Sequence, residues 1–243
     1  MNKQVITKIA SNCWNLANLA MFASRRVMLW GPAGTGKTFG AQRIGLRNEQ
    51  PVITVTLTDD TSAADLLGYY INTPDGYRWQ DGPATFAWRT GARLVLNEID
   101  HASGDATAAL YSILDDPASA SIRLASGEVL RPHPDFTCVA TSNVKPEEAL
   151  RGEGMASRFA LSVHITEPHP DSLARFPEPA RKAILGLINH PDPKLRLTPR
   201  SFDAFYHMIA NLPPGFTQLD AANVVFGANR GEAILDSLCV SAT

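Results

Sequence analysis

Residues 27–38 read Val27-Met28-Leu29-Trp30-Gly31-Pro32-Ala33-Gly34-Thr35-Gly36-Lys37-Thr38. The four apolar residues are enough for a short buried strand, and they run straight into a glycine-rich turn. Gly31, Gly36, Lys37 and Thr38 match the pattern G-x-x-x-x-G-K-[ST]. Glycines at these positions let successive backbone N–H groups curl into a nest that faces an anion at the start of the following helix. Gly31, Pro32, Ala33, Gly34, Thr35 and Gly36 are therefore predicted to cradle phosphates. Lys37 is expected at the β- and γ-phosphates, and the Thr38 hydroxyl on Mg²⁺. A glycine-rich turn matching by chance would not bring the preceding apolar run and the Lys-Thr ending with it. The stretch predicts a nucleoside triphosphate site.

Composition bounds the rest. A chain of 243 residues is one large domain or two unequal ones, and 44% hydrophobic with 19% charged residues is ample for a core. The formal charge of −2 supplies no global basic field, so nothing in composition argues for nucleic acid. Cys13, Cys138 and Cys239 are odd in number, far apart and set among apolar residues. They read as buried thiols in a reducing compartment, with neither metal-ligand nor disulfide spacing. No stretch approaches ~18 consecutive apolar residues, so no membrane span is expected. The first residues, Met-Asn-Lys-Gln-Val, lack the apolar core of a secretory signal. A cytoplasmic protein is expected.

Leu94-Val95-Leu96-Asn97-Glu98-Ile99-Asp100 is the second landmark. An apolar strand here delivers polar and acidic residues to its carboxyl end, where open α/β sheets bind ligands. P-loop ATPases usually carry Asp-Glu at this place, the Asp holding Mg²⁺ through water and the Glu polarising the attacking water. This chain has Asn97 for the first acid, which accepts from a metal-bound water but brings no charge. Glu98 stands as the general base, and Asp100 adds a further carboxylate nearby. Residues 136–141 form another buried strand ending in Ser142-Asn143, from which Asn143 is placed to contact the γ-phosphate and the attacking water.

Five apolar strands, at 27–30, 52–57, 94–99, 136–141 and 160–165, alternate with helices or insertions. That order predicts an α/β fold with a five-stranded parallel sheet and helices on both faces. Ile6, Ile9, Cys13, Leu16 and Ala20 recur at helical spacing, with Arg25 and Arg26 closing that helix electrostatically. A helix is predicted over 38–46 and another over 105–114. Hairpins are predicted at 69–79, whose aromatics either line a pore or partner surface or simply cover the core, and at 121–131. Pro168, Pro170, Pro177 and Pro179 mark a linker within 166–179. Helices follow at 180–189, from Thr198-Pro199, from Thr217 to about Gly227, and from Gly231 to Val240. The predicted organisation is a nucleotide-binding domain over 1–167 and a small all-helical lid over 168–243.

With these landmarks in order, the chain resembles the AAA+ ATPases. It looks closest to the MoxR-like, CbbQ-like and cobaltochelatase-subunit-like branch, which includes the dynein-related AAA domains. The resemblance covers about residues 20–210. It rests on the phosphate loop, Asp65-Leu66-Leu67-Gly68, Gly82-Pro83, Arg93 to Ala102, Arg131-Pro132-His133-Pro134-Asp135-Phe136 and Ala140-Thr141-Ser142-Asn143. Ser157-Arg158-Phe159 is similar to the segment carrying an arginine finger, and Thr198-Pro199-Arg200 to sensor 2.

The resemblance implies ATP and Mg²⁺ as cofactors and a homo-oligomeric ring, usually of six subunits, with ATP at each boundary. Arg158 would then reach into the neighbour's site, with Arg151 a competitor for that role. Arg200 would bind the γ-phosphate of its own subunit's ATP. The family's ring remodels or activates a protein partner, often one with a von Willebrand A-type domain, and in this chain the hairpins at 69–79 and 121–131 are where such work would be transmitted. Asn97 departs from the pattern and bears on hydrolysis more than on binding. Two other classes stay open: an ATP-dependent assembly switch or scaffold with weak hydrolysis, and a nucleic-acid-acting AAA+ ATPase, which the net charge disfavours.

Overall fold

The computed structural model describes residues 12–47, 49–150 and 152–239. The predicted helical positions Ile6 and Ile9, together with Arg151, Val240 and the side chain of Cys239, lie outside what is described. The described residues form two compact units. The first runs up to Gly31 and resumes over Lys37–Ile165; the second comprises Pro32–Gly36 and the chain from Thr166.

In the first unit, strands β1 (Arg26–Trp30), β2 (Val52–Thr56), β3 (Gly68–Thr73), β4 (Gly76–Asp81), β5 (Arg93–Asn97), β6 (Ile122–Arg123), β7 (Val129–Leu130), β8 (Thr137–Ser142) and β9 (Leu161–His164) occur with seven helices. The helices are α1 (Cys13–Ala23), α2 (Lys37–Ala41), α3 (Ala63–Leu67), α4 (Pro83–Thr90), α5 (Gly104–Ile113), α6 (Pro146–Ala149) and α7 (Glu153–Arg158). Five strands form one sheet in the order β2-β5-β8-β1-β9, every pair parallel. This is the predicted α/β architecture.

The sequence dictates it through strand alternation. Successive side chains leave a strand on opposite faces. Val27, Leu29, Val95, Val139 and Val163 therefore pack on one face against Trp14, Ala17 and Met21 of α1 and Ala41 of α2. Met28, Leu94, Leu96, Cys138 and Ala140 pack on the other, against Trp88 of α4 and Leu110 and Ile113 of α5. All six residues of β8 are buried, as a central strand covered on both faces requires. Cys13 and Cys138 are buried free thiols, as read from sequence.

Several boundaries differ from expectation. The helix predicted over 38–46 stops at Ala41 and continues as turns. Helix α1 ends at Ala23 on a Ser24 cap, so Arg25 and Arg26 do not close it; Arg26 opens β1, and its guanidinium donates to the Leu114 carbonyl. Helices α3 and α4 were not predicted at all. The first hairpin is longer than expected, pairing Gly68 with Asp81 through Thr73 with Gly76. Its aromatics Tyr69, Tyr70 and Tyr77 are exposed, while Trp79 is partly buried against the core. Arg89 on α4 ties both hairpins together, donating to Asp81 at 2.6 Å and gripping both Glu128 oxygens at 2.6 and 2.5 Å. That bidentate bond holds the Glu128 carboxyl below the usual range.

The second unit is helical beyond the phosphate-loop tip: α8 (Pro170–Ala174), α9 (Glu178–Leu187), α10 (Pro199–Ala210), α11 (Gln218–Phe226) and α12 (Gly231–Cys239). Helix α8 lies inside the stretch read as a linker. Phe176, Ile184, Phe202, Phe205, Phe226 and Ile234 form its core, with the Phe202 and Phe226 rings 5.2 Å apart. Thr198 and Thr217 cap α10 and α11 as expected, the latter in a reciprocal box with Asp220. Among the described residues, no helix is long and apolar enough to cross a membrane.

Candidate nucleotide site

The loop after β1 has the backbone its sequence calls for. Gly31, Gly34 and Gly36 take φ values of 142°, 80° and 88°. At Gly31 no other residue fits: a Cβ there would sit 2.2 Å from the Ile165 carbonyl oxygen. The Gly31 N–H donates to the Ser142 carbonyl at 3.2 Å, which ties the loop's first residue to the end of β8. Within the second unit, Thr35 donates its hydroxyl to the Pro32 carbonyl at 3.0 Å, and the Thr35 carbonyl accepts from the His169 N–H at 2.9 Å.

Two hydrogen-bonded groups gather at the carboxyl ends of β1, β5 and β8. In one, Lys37, a residue 7% exposed, donates its ammonium N–H groups to the Gly31 carbonyl at 2.8 Å and to Asn143 Oδ1 at 2.9 Å. In the other, Asn97 Oδ1 accepts from the Thr38 hydroxyl at 2.5 Å and from the Thr141 hydroxyl at 2.7 Å. The Asn97 amide nitrogen faces Thr56 Oγ1 at 3.4 Å. Thr141 Oγ1 in turn accepts from the Glu98 N–H at 3.3 Å. Thr38, Asn97, Thr141 and Glu98 are thus one chain of contacts across α2, β5 and β8.

Glu98 is held at φ 57°, ψ 52°, in the left-handed region. A side-chain-bearing residue there costs of order 1–2 kcal/mol, and such strain concentrates at sites that use it. Asp100 follows in a single 3₁₀ turn; its Oδ2 lies 3.6 Å from His101, and its buried Oδ1 has no hydrogen-bond partner among the described residues.

Pro32, Ala33, Gly34, Thr35 and Gly36 belong to the second unit, as does Arg200, exposed in the first turn of α10. Arg158, at the end of α7, is turned onto α5: it donates to the Tyr111 and Gly154 carbonyls at 2.9 and 2.7 Å. Thr141 and Thr56 were not singled out from the sequence. The usable signal was a threonine closing an otherwise apolar strand one residue before Ser142-Asn143, because a buried hydroxyl must find a partner.

The donor set decides how a divalent cation would be held. Among the described residues, no three His, Cys, Asp or Glu side chains stand close enough to bind a metal on their own. The Thr38 hydroxyl and the neutral Asn97 oxygen fit an ion that arrives with phosphates, held mostly by them and by water. Asn97→Asp restores one negative charge beside Thr38. It is expected to lower the Mg²⁺ concentration needed for half-maximal nucleotide binding by about tenfold, the scale of one partly screened charge. Titrating Mg²⁺ against binding of a fluorescent ATP analogue checks this; an unchanged midpoint would mean the Asn97 position does not touch the ion's shell.

A family model described as AAA domain (dynein-related subfamily) matches residues 26–159, more than half of the chain. Protein CbbQ of Hydrogenophilus thermoluteolus is 36% identical over 155 residues, 63% of this chain and 57% of that protein. The denitrification regulatory protein NirQ of Pseudomonas aeruginosa is 39% identical over 126 residues, 52% of this chain and 48% of that protein. The chain thus spans about half the length of these curated relatives. In fold it is similar to the crystal structure of NtrX from Brucella abortus in complex with ATP, with a TM-score of 0.55 at 15% identity, covering 100% of this chain and 70% of that one. The chain belongs to the AAA domain family, in its dynein-related subfamily.

Proposed function

We propose that the chain binds and hydrolyses ATP as one subunit of a homo-oligomeric ring, six-membered as in its family, that remodels or activates a partner protein. The observation that carries this is the meeting of Lys37 with Asn143, and of Thr38 with Asn97, Thr141 and Glu98, at the carboxyl ends of three neighbouring parallel strands. Ligands of such sheets bind there.

In this reading the loop's N–H groups take the phosphates, and Lys37 exchanges the Gly31 carbonyl for β- and γ-phosphate oxygens. Asn143, freed from Lys37, faces the γ-phosphate and the attacking water. Glu98 accepts that water's proton. Mg²⁺ would neutralise charge on the phosphates, with Thr38 directly and Asn97 through water as its protein contacts. Arg200 senses the γ-phosphate of its own subunit. Arg158 supplies positive charge to a neighbour's site. The exposed Tyr69, Tyr70 and Tyr77 offer a surface for the partner, for which a von Willebrand A-type domain is the family's precedent.

The experiment is subunit mixing. Lys37→Ala removes the phosphate contact, and Arg158→Ala removes the proposed finger, so each variant alone is expected to be inactive. Mixed rings contain interfaces where an intact Lys37 meets an intact Arg158, and these should recover ATP turnover. Absence of recovery in rings shown by electron microscopy to be mixed would sink the trans assignment.

A further inference from the structure

Arg158 is engaged by its own subunit. Its Nε donates to the Tyr111 carbonyl at 2.9 Å and its Nη1 to the Gly154 carbonyl at 2.7 Å. Nη2 lies 3.5 Å from Asp115 Oδ1, and the guanidinium carbon stands 4.8 Å from the Tyr111 ring centroid. Only 21% of the side chain is exposed. The local sequence permits this: Gly152 at φ 95° starts α7, and a Cβ at Gly154 would meet the Tyr111 ring at 3.2 Å. Glycine at 154 thus lets α7 close on Tyr111 and lays the arginine across it.

A guanidinium grips a phosphate through two neighbouring N–H groups, on Nη1 and Nη2 or on Nε and an Nη, and Nε is already given to the Tyr111 carbonyl. Here Nη1 has given one to a carbonyl, and Nη2 faces a carboxylate, which is an anion of the kind a phosphate would replace. We propose that Tyr111 and Asp115 are positioning residues that hold Arg158 against its own subunit, Asp115 standing in for the neighbour's triphosphate until assembly brings it. This rests on Arg158 acting in trans. The direction of exchange follows from charge. One carboxylate, 53% exposed and 3.5 Å away, is a weak holder. A triphosphate in a closed interface carries several charges and is screened less.

The test is the dependence of ATP turnover on protein concentration. Asp115→Asn removes the competing charge without changing shape, and Tyr111→Leu removes the aromatic face but leaves the backbone carbonyl. Asp115→Asn is expected to lower the concentration for half-maximal turnover about two- to fivefold, the range of one exposed ion pair. The double variant should lower it about as much again. Turnover at saturating protein stays unchanged. A purely structural clasp would instead lower the unfolding temperature and leave the midpoint where it was. That outcome, or a fall in turnover at saturation, overturns the proposal. Arg158→Ala separates the two levels of the argument. If it turns over like the native chain, the finger reading fails; if it is inactive while Asp115→Asn keeps the native midpoint, only the restraint fails.

Discussion

Glu98→Gln is expected to cut ATP turnover by roughly 10²–10⁴-fold, the usual contribution of a positioned general base, and to leave ATP binding intact. The change replaces one oxygen by an amide nitrogen and keeps the shape. It removes the ability to take a proton, but not the Glu98 N–H bond to Thr141 or the Asn97 contacts beside it. Backbone strain offers a second readout. Glu98 is held at φ 57°, which glycine adopts freely. Glu98→Gly is therefore expected to be at least as stable as the native chain, although glycine in an ordinary extended segment costs roughly 0.5–1 kcal/mol. A variant that loses turnover without losing stability would identify the strain as one kept for function. Turnover at saturating Mg²⁺, ATP binding by titration and thermal unfolding together decide it. If the native chain is no faster than Glu98→Gln, the protein is an ATP-dependent assembly switch, and Asn97 is the residue that would account for it.

Most of the sheet was legible because it is buried. Strands covered on both faces carry apolar runs at their centres, so Val27–Leu29, Leu94–Leu96 and Val139–Ala140 stand out from their surroundings. Helices α3 and α4 did not stand out. Helix α3 is only five residues long, too short to show a helical period, though Ser62 and Asp65 form its reciprocal cap. Helix α4 is bracketed by Pro83 in its first turn and Gly91 at φ 72° after its end, a punctuation that could have been read without any period. In the linker, four prolines suggested a break. Pro170 instead starts α8, where its missing N–H costs nothing.

The nucleotide site was half legible for a different reason. Lys37, Thr38, Glu98 and Asn143 are chemically conspicuous and sit in ordered motifs. Thr141 is not, because its role exists only through the spacing of β5 and β8, whose paired registers set Leu96 beside Ala140 and so bring Asn97 level with Thr141. Likewise nothing local tells that Arg158 would find Tyr111 and Asp115, more than forty residues earlier in the chain.

In the sequence Arg93 enters only as the first residue of the Arg93–Ala102 segment that carries the resemblance, one residue before the strand expected at 94–99; in the structure it opens β5. It is 1% exposed, and among the described residues no carboxylate pairs with it. Its Nη1 donates to the Ala41 and Ile44 carbonyls at 3.1 and 2.5 Å, and its Nη2 to the Gly45 carbonyl at 2.6 Å. Nε approaches Thr137 Oγ1 at 3.4 Å. The Ala41 carbonyl is the last of α2, where helix carbonyls lack partners of their own, and the Ile44 and Gly45 carbonyls belong to the turns that follow. Burial pulls the guanidinium down to about 10, so it remains charged at neutral pH. That charge lies beside the last carbonyl of α2, at the helix's negative end. Arg93→Met keeps the apolar stem and strands the three carbonyls in the interior, each costing ~1–3 kcal/mol before water relieves some of it. A net loss of about 3–5 kcal/mol is expected, the scale for removing one side of a buried charged contact. For a chain of this size that is roughly a 10 °C fall in unfolding temperature. Arg93→Lys should recover only part of it, because one ammonium cannot direct planar donors at three carbonyls. ATP affinity should fall with stability in this series, since the same short helix carries Lys37 and Thr38. Thermal unfolding and ATP titration of both variants check this. A wild-type melting point for Arg93→Met would mean that the turn after Ala41 satisfies its carbonyls without the arginine.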